Sequence, residues 1–309
     1  MKTAFLFPGQ GAQSPGMGSD LYLSYSRYRD TFDRCEAEAG LDLKSACFNG
    51  EGMDGSDVIQ AAIYTHSVST LRALEAEGVG ADVFAGLSLG EYAALCAAGV
   101  FPDARGAHIV LRRGALMDGA VPPGTGGMLS VIGLTLEQVE PVIAAFGNVY
   151  LSNHLAETQL VLGGLLDELD LVKPLLDGAG ARMTTMLAMK GPSHCPLLDD
   201  AAKQFGAELS GEALGRPSRT VYSNVLGAPY PADADVAALL CAQMNTRVRW
   251  HDCVEDMLGS GVTRFVEIGP GGVLTKMLKR RAGRDVSLYS VQDAASMEAF
   301  LHAYEGDRA

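Results

Sequence analysis

In the stretch VFAGLSLGEYAAL, residues 83 to 95, Ser88 stands between Gly86 and Gly90, where an apolar run gives way to an alanine-rich one. This spacing predicts a strand that turns sharply into a helix with the serine at its apex, which exposes the hydroxyl for nucleophilic attack. A small residue in a tight turn accounts for the same letters, so a base must be found, because a free hydroxyl is a poor nucleophile at neutral pH. Of the six histidines, most of His66, His108, His154, His251 and His302 read as surface or capping residues. His194, in KGPSHCPLL, differs: Gly191, Pro192 and Pro196 forbid a regular element and hold the ring on an irregular segment after a strand end. Catalytic groups favour such positioned loops, and a solvent-facing turn histidine is the alternative.

A third candidate lies in FPDARGAHIVLRRGALMDGA, which reads as a helix opened by Pro102 and Asp103. Arg105, His108 and Arg112 share a polar face, whereas Arg113 shares the inward face of Ile109, Val110 and Met117. A guanidinium does not lose its proton, so burial demands a partner. That partner is a substrate carboxylate gripped in bidentate fashion, a distant Asp or Glu, or water reached by the snorkelling stem.

The loop in AFLFPGQGAQSPGMG carries Gly9 and Gly11, but Ser14 stands at the third glycine of a dinucleotide fingerprint and Pro8 stiffens the turn. No P-loop is present. Glycine loops also expose backbone N–H groups that can hold an oxyanion.

These residues need a scaffold, and 309 residues at 48% hydrophobic supply a large core. The apolar runs KTAFLF, VFAGLS, TVYSNV and TRFVEI, each closed by turn residues, predict strands of a parallel α/β sheet. Between AVPPGTGG and KGPSHCP the order becomes β-α-β-β-α-β, that of a ferredoxin-like unit. The expected architecture is an α/β-hydrolase-like domain over residues 1–123 and 191–309, with a ferredoxin-like α+β subdomain inserted at 124–190. The segment ASMEAFLHAYEGDRA predicts a last helix with a frayed polar end.

A net charge of −13 argues against a nucleic-acid partner, which requires a concentrated basic face. The N-terminal apolar run is too short for a signal segment and no stretch reaches 18 apolar residues, so a cytoplasmic protein is expected, with no membrane role. Cys35, Cys47, Cys96, Cys195, Cys241 and Cys253 are scattered without a metal or disulfide spacing and read as reduced thiols.

In this order the stretches resemble the malonyl-CoA:acyl carrier protein transacylase family and the related acyltransferase domains of polyketide synthases. The likeness covers nearly the whole chain. It rests on FPGQGAQ (7–13), IQAAI (59–63), GLSLGEYAAL (86–95), RRGALM (112–117), GPSHCPLL (191–198), VRW (248–250) and VEIGPGGVLTKMLKR (266–280). The resemblance implies that Ser88 is acylated, that His194 is its base, and that the N–H groups of Gln10 and Leu89 form the oxyanion hole. It further implies that Arg113 binds the malonyl carboxylate and that the main-chain carbonyl of Arg249 orients His194. The implied reaction is a ping-pong transfer of malonyl from malonyl-CoA to the phosphopantetheine thiol of acyl carrier protein for fatty-acid synthesis, with malonyl-CoA as substrate and no cofactor or metal.

Two positions depart from the family pattern: Leu87 replaces the usual histidine before the nucleophile, and Leu155 stands at the second Asn of an Asn-x-Asn run. Lys276, Lys279, Arg280 and Arg281, with Lys190 and Arg182 flanking the histidine loop, form a candidate docking patch for the acidic carrier, or else a solvated helix end. The competing functions are a discrete acyltransferase of a polyketide pathway, a serine esterase or thioesterase, and a carrier-docking module without activity.

Overall fold

The computed structural model describes residues 1–306. Ten strands form two sheets: β1 (Lys2–Phe7), β2 (Val83–Gly86), β3 (Gly126–Ile132), β4 (Val149–Ala156), β5 (Gln159–Leu165), β6 (Met183–Met186), β7 (Thr220–Ser223), β8 (Ala228–Pro229), β9 (Val262–Ile268) and β10 (Ser287–Val291). The larger sheet runs β10-β9-β1-β2-β7-β8 and is parallel except for the β7–β8 pair. The chain is therefore a mixed α/β protein with a parallel-rich sheet.

Why the strand sequences are apolar runs rather than alternating ones follows from burial on both faces. Phe5 and Phe7 of β1 and Phe84 of β2 enter one core with the helices Ser26–Ala39, Ser56–Ala76 and Asp103–Asp118. Ala4, Leu6, Val83 and Ala85 point the other way, into a second core with Trp250, Cys253 and Met257 of the helix Trp250–Gly259. Two strands were not anticipated from sequence: β8 has two residues, and β10, SLYSV, is an edge strand whose half-polar composition hides it.

The smaller sheet runs β4-β5-β3-β6, antiparallel throughout, with the helices Leu136–Ile143 and Leu166–Gly178 after β3 and β5. Its period-two pattern divides the labour. Leu129, Val131, Leu160 and Leu162 pack with Val139, Leu169, Val172 and Leu176 in a core of their own. Met128 and Val161, on the opposite face, line the cleft that holds Ser88. The two sheets are joined through Val248, whose N–H donates to the Ser152 carbonyl at 2.8 Å and whose carbonyl accepts the His154 N–H at 2.9 Å.

The last helix spans Ala294–Gly306, and the polar end anticipated for it continues into Asp307, Arg308 and Ala309, outside the described residues. No helix among the described residues is long and apolar enough to cross a membrane. All six cysteines are free.

Candidate active site

Ser88 follows β2 and precedes the helix Gly90–Ala97, at the carboxyl ends of the parallel strands where open α/β sheets present their ligands. The glycines on either side are needed because strand and helix nearly touch. A Cβ on Gly86 would lie 1.9 Å from the Gly90 carbonyl carbon, and one on Gly90 would lie 2.0 Å from the Phe7 oxygen. Neither obstacle is a movable side chain. Gly90→Ala is therefore expected to destabilise the fold by about 1–3 kcal/mol, measured as a lowered urea midpoint at unchanged slope.

Among the described residues only two non-glycines adopt positive φ, Ser88 at 52° and His194 at 57°. Such conformations persist where surrounding structure over-determines them, and here they bring two side chains together. Ser88 Oγ lies 2.7 Å from His194 Nε2, and His194 Nδ1 lies 2.6 Å from the main-chain oxygen of Gln243. A carbonyl only accepts, so Nδ1 carries the proton and Nε2 is free to accept from the Ser88 hydroxyl.

That contact corrects the expectation for Arg249. Its carbonyl accepts the Cys253 N–H at 3.1 Å, its own N–H donates to Asn224, and its guanidinium pairs with Asp252 at 2.6 Å. The VRW stretch is a seam between the sheets, and the carbonyl at His194 comes from Gln243 on the helix Val236–Asn245. Sequence reasoning missed Gln243 because a main-chain group leaves no signature in residue type.

Arg113 is 1% exposed and makes no ion pair among the described residues. Its Nη1 donates to Gln60 Oε1 at 2.8 Å, and its Nη2 donates to Gln243 Oε1 and to Ser88 Oγ, each at 3.0 Å. Its Nε is buried without a partner, and the guanidinium lies 5.3 Å from the centre of the Tyr92 ring. The direct hydrogen-bond partners of this buried cation are thus all neutral oxygens, with no carboxylate in contact among the described residues. Burial, and next the Arg113 charge, pull His194 down to about 3, against a smaller opposing effect of the Gln243 carbonyl.

The cleft is lined by Gly9, Gln10, Gln60, Leu87, Asn153 and Leu155 beside the serine, histidine and arginine. The Gln10 side chain is held by Ser56 and Gln60, and the loop approaches the elbow so closely that a Cβ on Gly9 would meet the Leu87 carbonyl at 2.8 Å. No partner among the described residues takes up the Gln10 or Leu89 N–H groups. Leu87 and Leu155 both face this cleft, whereas Gln159 lines a neighbouring cavity.

A model of the acyl transferase domain family matches residues 4–299. The chain belongs to the acyl transferase domain family. The malonyl CoA-acyl carrier protein transacylase of Bacillus subtilis (strain 168) is 33% identical over 303 residues, covering 96% of this chain and 95% of that protein. The crystal structure of a malonyl CoA-acyl carrier protein transacylase from Clostridium perfringens superposes with a TM-score of 0.95 at 33% identity, over 100% of this chain and 98% of that one. A malonyl-transacylase solved in complex with its type II PKS acyl-carrier protein gives 0.93 at 33% identity, over 98% of this chain and 100% of that one. As a member of the acyl transferase family the protein is an acyltransferase.

Proposed function

We propose that this acyltransferase moves the malonyl group of malonyl-CoA onto the phosphopantetheine thiol of acyl carrier protein, through an ester on Ser88, in fatty-acid synthesis. The observation that carries the reading is Arg113, a buried guanidinium with no carboxylate in contact among the described residues, 3.0 Å from the Ser88 oxygen. We read the large sheet, residues 1–123 and 191–309, as a hydrolase-like body and residues 124–190 as a ferredoxin-like insert closing over the site.

In the first half-reaction His194 Nε2 takes the Ser88 proton while Oγ attacks the thioester carbonyl. The oxyanion is received by the N–H groups of Gln10 and Leu89, and collapse expels the CoA sulfur, which leaves with the proton from Nε2. In the second half-reaction the carrier thiol gives its proton to Nε2, attacks the ester and restores the serine. A main-chain carbonyl suffices to hold the ring, since the imidazolium exists only transiently. The substrate carboxylate also prepares the base: burial is the larger cause that holds His194 down, and once the carboxylate neutralises Arg113 the second cause is removed and the ring becomes more basic. No step requires a cofactor or metal, malonyl-CoA being a substrate, and a cytoplasmic location suits its two partners.

A polyketide carrier is the second reading, favoured by the similarity to the malonyl-transacylase solved with its type II PKS carrier. A serine esterase is less well supported, since its histidine is oriented by a carboxylate, and the group at His194 Nδ1 is the Gln243 carbonyl.

Carrier docking is supported by charges on both bodies. The helix Val273–Leu278 ends before Lys279, Arg280 and Arg281, so these lie on the following turn rather than on the helix. Arg281 is engaged by Glu255 at 2.7 Å and Lys276 donates to the Gly271 carbonyl at 3.0 Å, while Lys279, Arg280, Arg182 and Lys190 are exposed. Arg182 and Arg280 line one cavity, and Leu155 borders both that cavity and the Ser88 cleft. Reversing Lys279 and Arg280 to glutamate is expected to raise KM for carrier protein roughly tenfold and leave KM for malonyl-CoA unchanged in steady-state assays. Intact-mass measurement after malonyl-CoA, then after holo carrier protein, tests the whole reading: a malonyl adduct that forms and then disappears is expected.

A further inference from the structure

One ionisable group beside the elbow has no part in the chemistry above. Glu91, in the first turn of the helix Gly90–Ala97, is 0% exposed. Its Oε2 accepts the Asn224 N–H at 3.0 Å and the Gln243 Nε2–H at 2.6 Å, and its Oε1 accepts the Tyr230 hydroxyl. Burying a carboxylate costs several kcal/mol unless donors replace its water, and three donors plus a helix N-terminus do so here.

The two amide residues it holds are those that hold the site. Asn224 Oδ1 accepts the Ser88 N–H at 2.6 Å, and its Nδ2 donates to the Gly86 carbonyl at 2.8 Å. Gln243 Nε2 donates to the Ser88 carbonyl at 3.0 Å, its Oε1 accepts from Arg113, and its main-chain oxygen receives His194 Nδ1–H. An amide has one donor end and one acceptor end, so fixing Nε2 on Glu91 fixes Oε1 on Arg113. The negative charge thus faces the guanidinium across a neutral amide. A carboxylate placed directly on Arg113 would compete with the acyl substrate for it; the interposed amide balances the charge and leaves the cation open.

We propose that Glu91 is the positioning residue of this site, fixing the Asn224 main chain and the Gln243 side-chain amide, the two residues that hold the Ser88 turn, the His194 ring and the Arg113 guanidinium in one register. This rests on the acyl-serine reading and adds to it. Glu91 touches no reacting atom and acts through its amide partners. Burial pushes its carboxyl up to about 7, against the Tyr230, Gln243 and Asn224 hydrogen bonds and the Arg113 charge. The titratable groups facing it are Arg113, Tyr92, Tyr230 and Cys253, of which Arg113 is the cation. His194 is held near 3 first by burial, which neutralising Arg113 does not relieve, so its titration stays apart from that of Glu91. Protonating Glu91 turns charge-assisted hydrogen bonds into weaker neutral ones.

The test is the rate of Ser88 malonylation by the full chain with malonyl-CoA, followed by rapid quench and intact mass across the neutral pH range. The wild type is expected to slow on the acid side with a midpoint near 7. Glu91→Gln, which keeps the shape and removes the charge, should run about tenfold slower at the alkaline end and lose the acid limb. Tyr230→Phe, which removes one donor to the charged form, should move the limb to higher pH. A Glu91→Gln protein with wild-type rate and limb overturns the proposal; if that variant does not fold, an unmoved limb in Tyr230→Phe does so. Failure of the wild type to take up malonyl at all would sink the acyl-serine reading itself, a distinct result.

Discussion

Ser88→Ala is expected to abolish the malonyl adduct seen by intact mass and to lower kcat/KM for malonyl transfer by about 10³-fold or more, a loss of about 4 kcal/mol in transition-state stabilisation. In the proposed route the Ser88 hydroxyl forms the covalent bond, and no neighbouring side chain among the described residues stands ready to replace it. Cys195, next to the base in sequence, is buried, and burial pushes its thiol up to about 12, so it supplies no thiolate. The variant should remain folded, because the backbone at position 88 is held by Asn224 and Gln243 through main-chain atoms that alanine retains. Activity that survives in Ser88→Ala with the wild-type burst would refute a covalent route.

Arg113→Ala is expected to separate two substrates. Malonyl transfer should fall by about 10²- to 10³-fold, the equivalent of about 3–4 kcal/mol for a charge-assisted, desolvated contact with a carboxylate. Acetyl transfer from acetyl-CoA should be spared or improve. Acetyl has no carboxylate to lose, and removing the cation raises the basicity of His194, which burial and Arg113 together hold near 3. Competition of the two thioesters, read by adduct mass on Ser88, measures the ratio directly. Equal losses for both acyl groups would mean that Arg113 serves only to brace Ser88 and Gln243.

Much of the scaffold was legible because local chemistry wrote it. The runs at β1, β2, β7 and β9 are apolar because both faces are buried, and each ends in turn residues. The elbow was legible for a related reason: two glycines and a serine at positive φ are a backbone requirement with a residue-type signature. Arg113 was found as a charge on an apolar helix face, and its neutral amide cage explains why no acid nearby in sequence could be named for it. Asn224, Glu91 and Gln243 escaped because their meaning depends on pairings such as β2 with β7, which no local pattern encodes. Gln60 lies in a stretch quoted for resemblance, yet its task, receiving Arg113 Nη1, needs the fold to be seen.

The seam at Val248 has a consequence for how this enzyme can change. The small sheet walls the acyl cleft with Met128 and Val161, yet grips the larger body there through main-chain atoms of Ser152, His154 and Val248. Backbone attachment is indifferent to side-chain identity. Side chains on the cleft face of the small sheet, Met128 and Val161 among them, can therefore change and reshape the wall beside Ser88 while the main-chain bonds at Val248 stay in place.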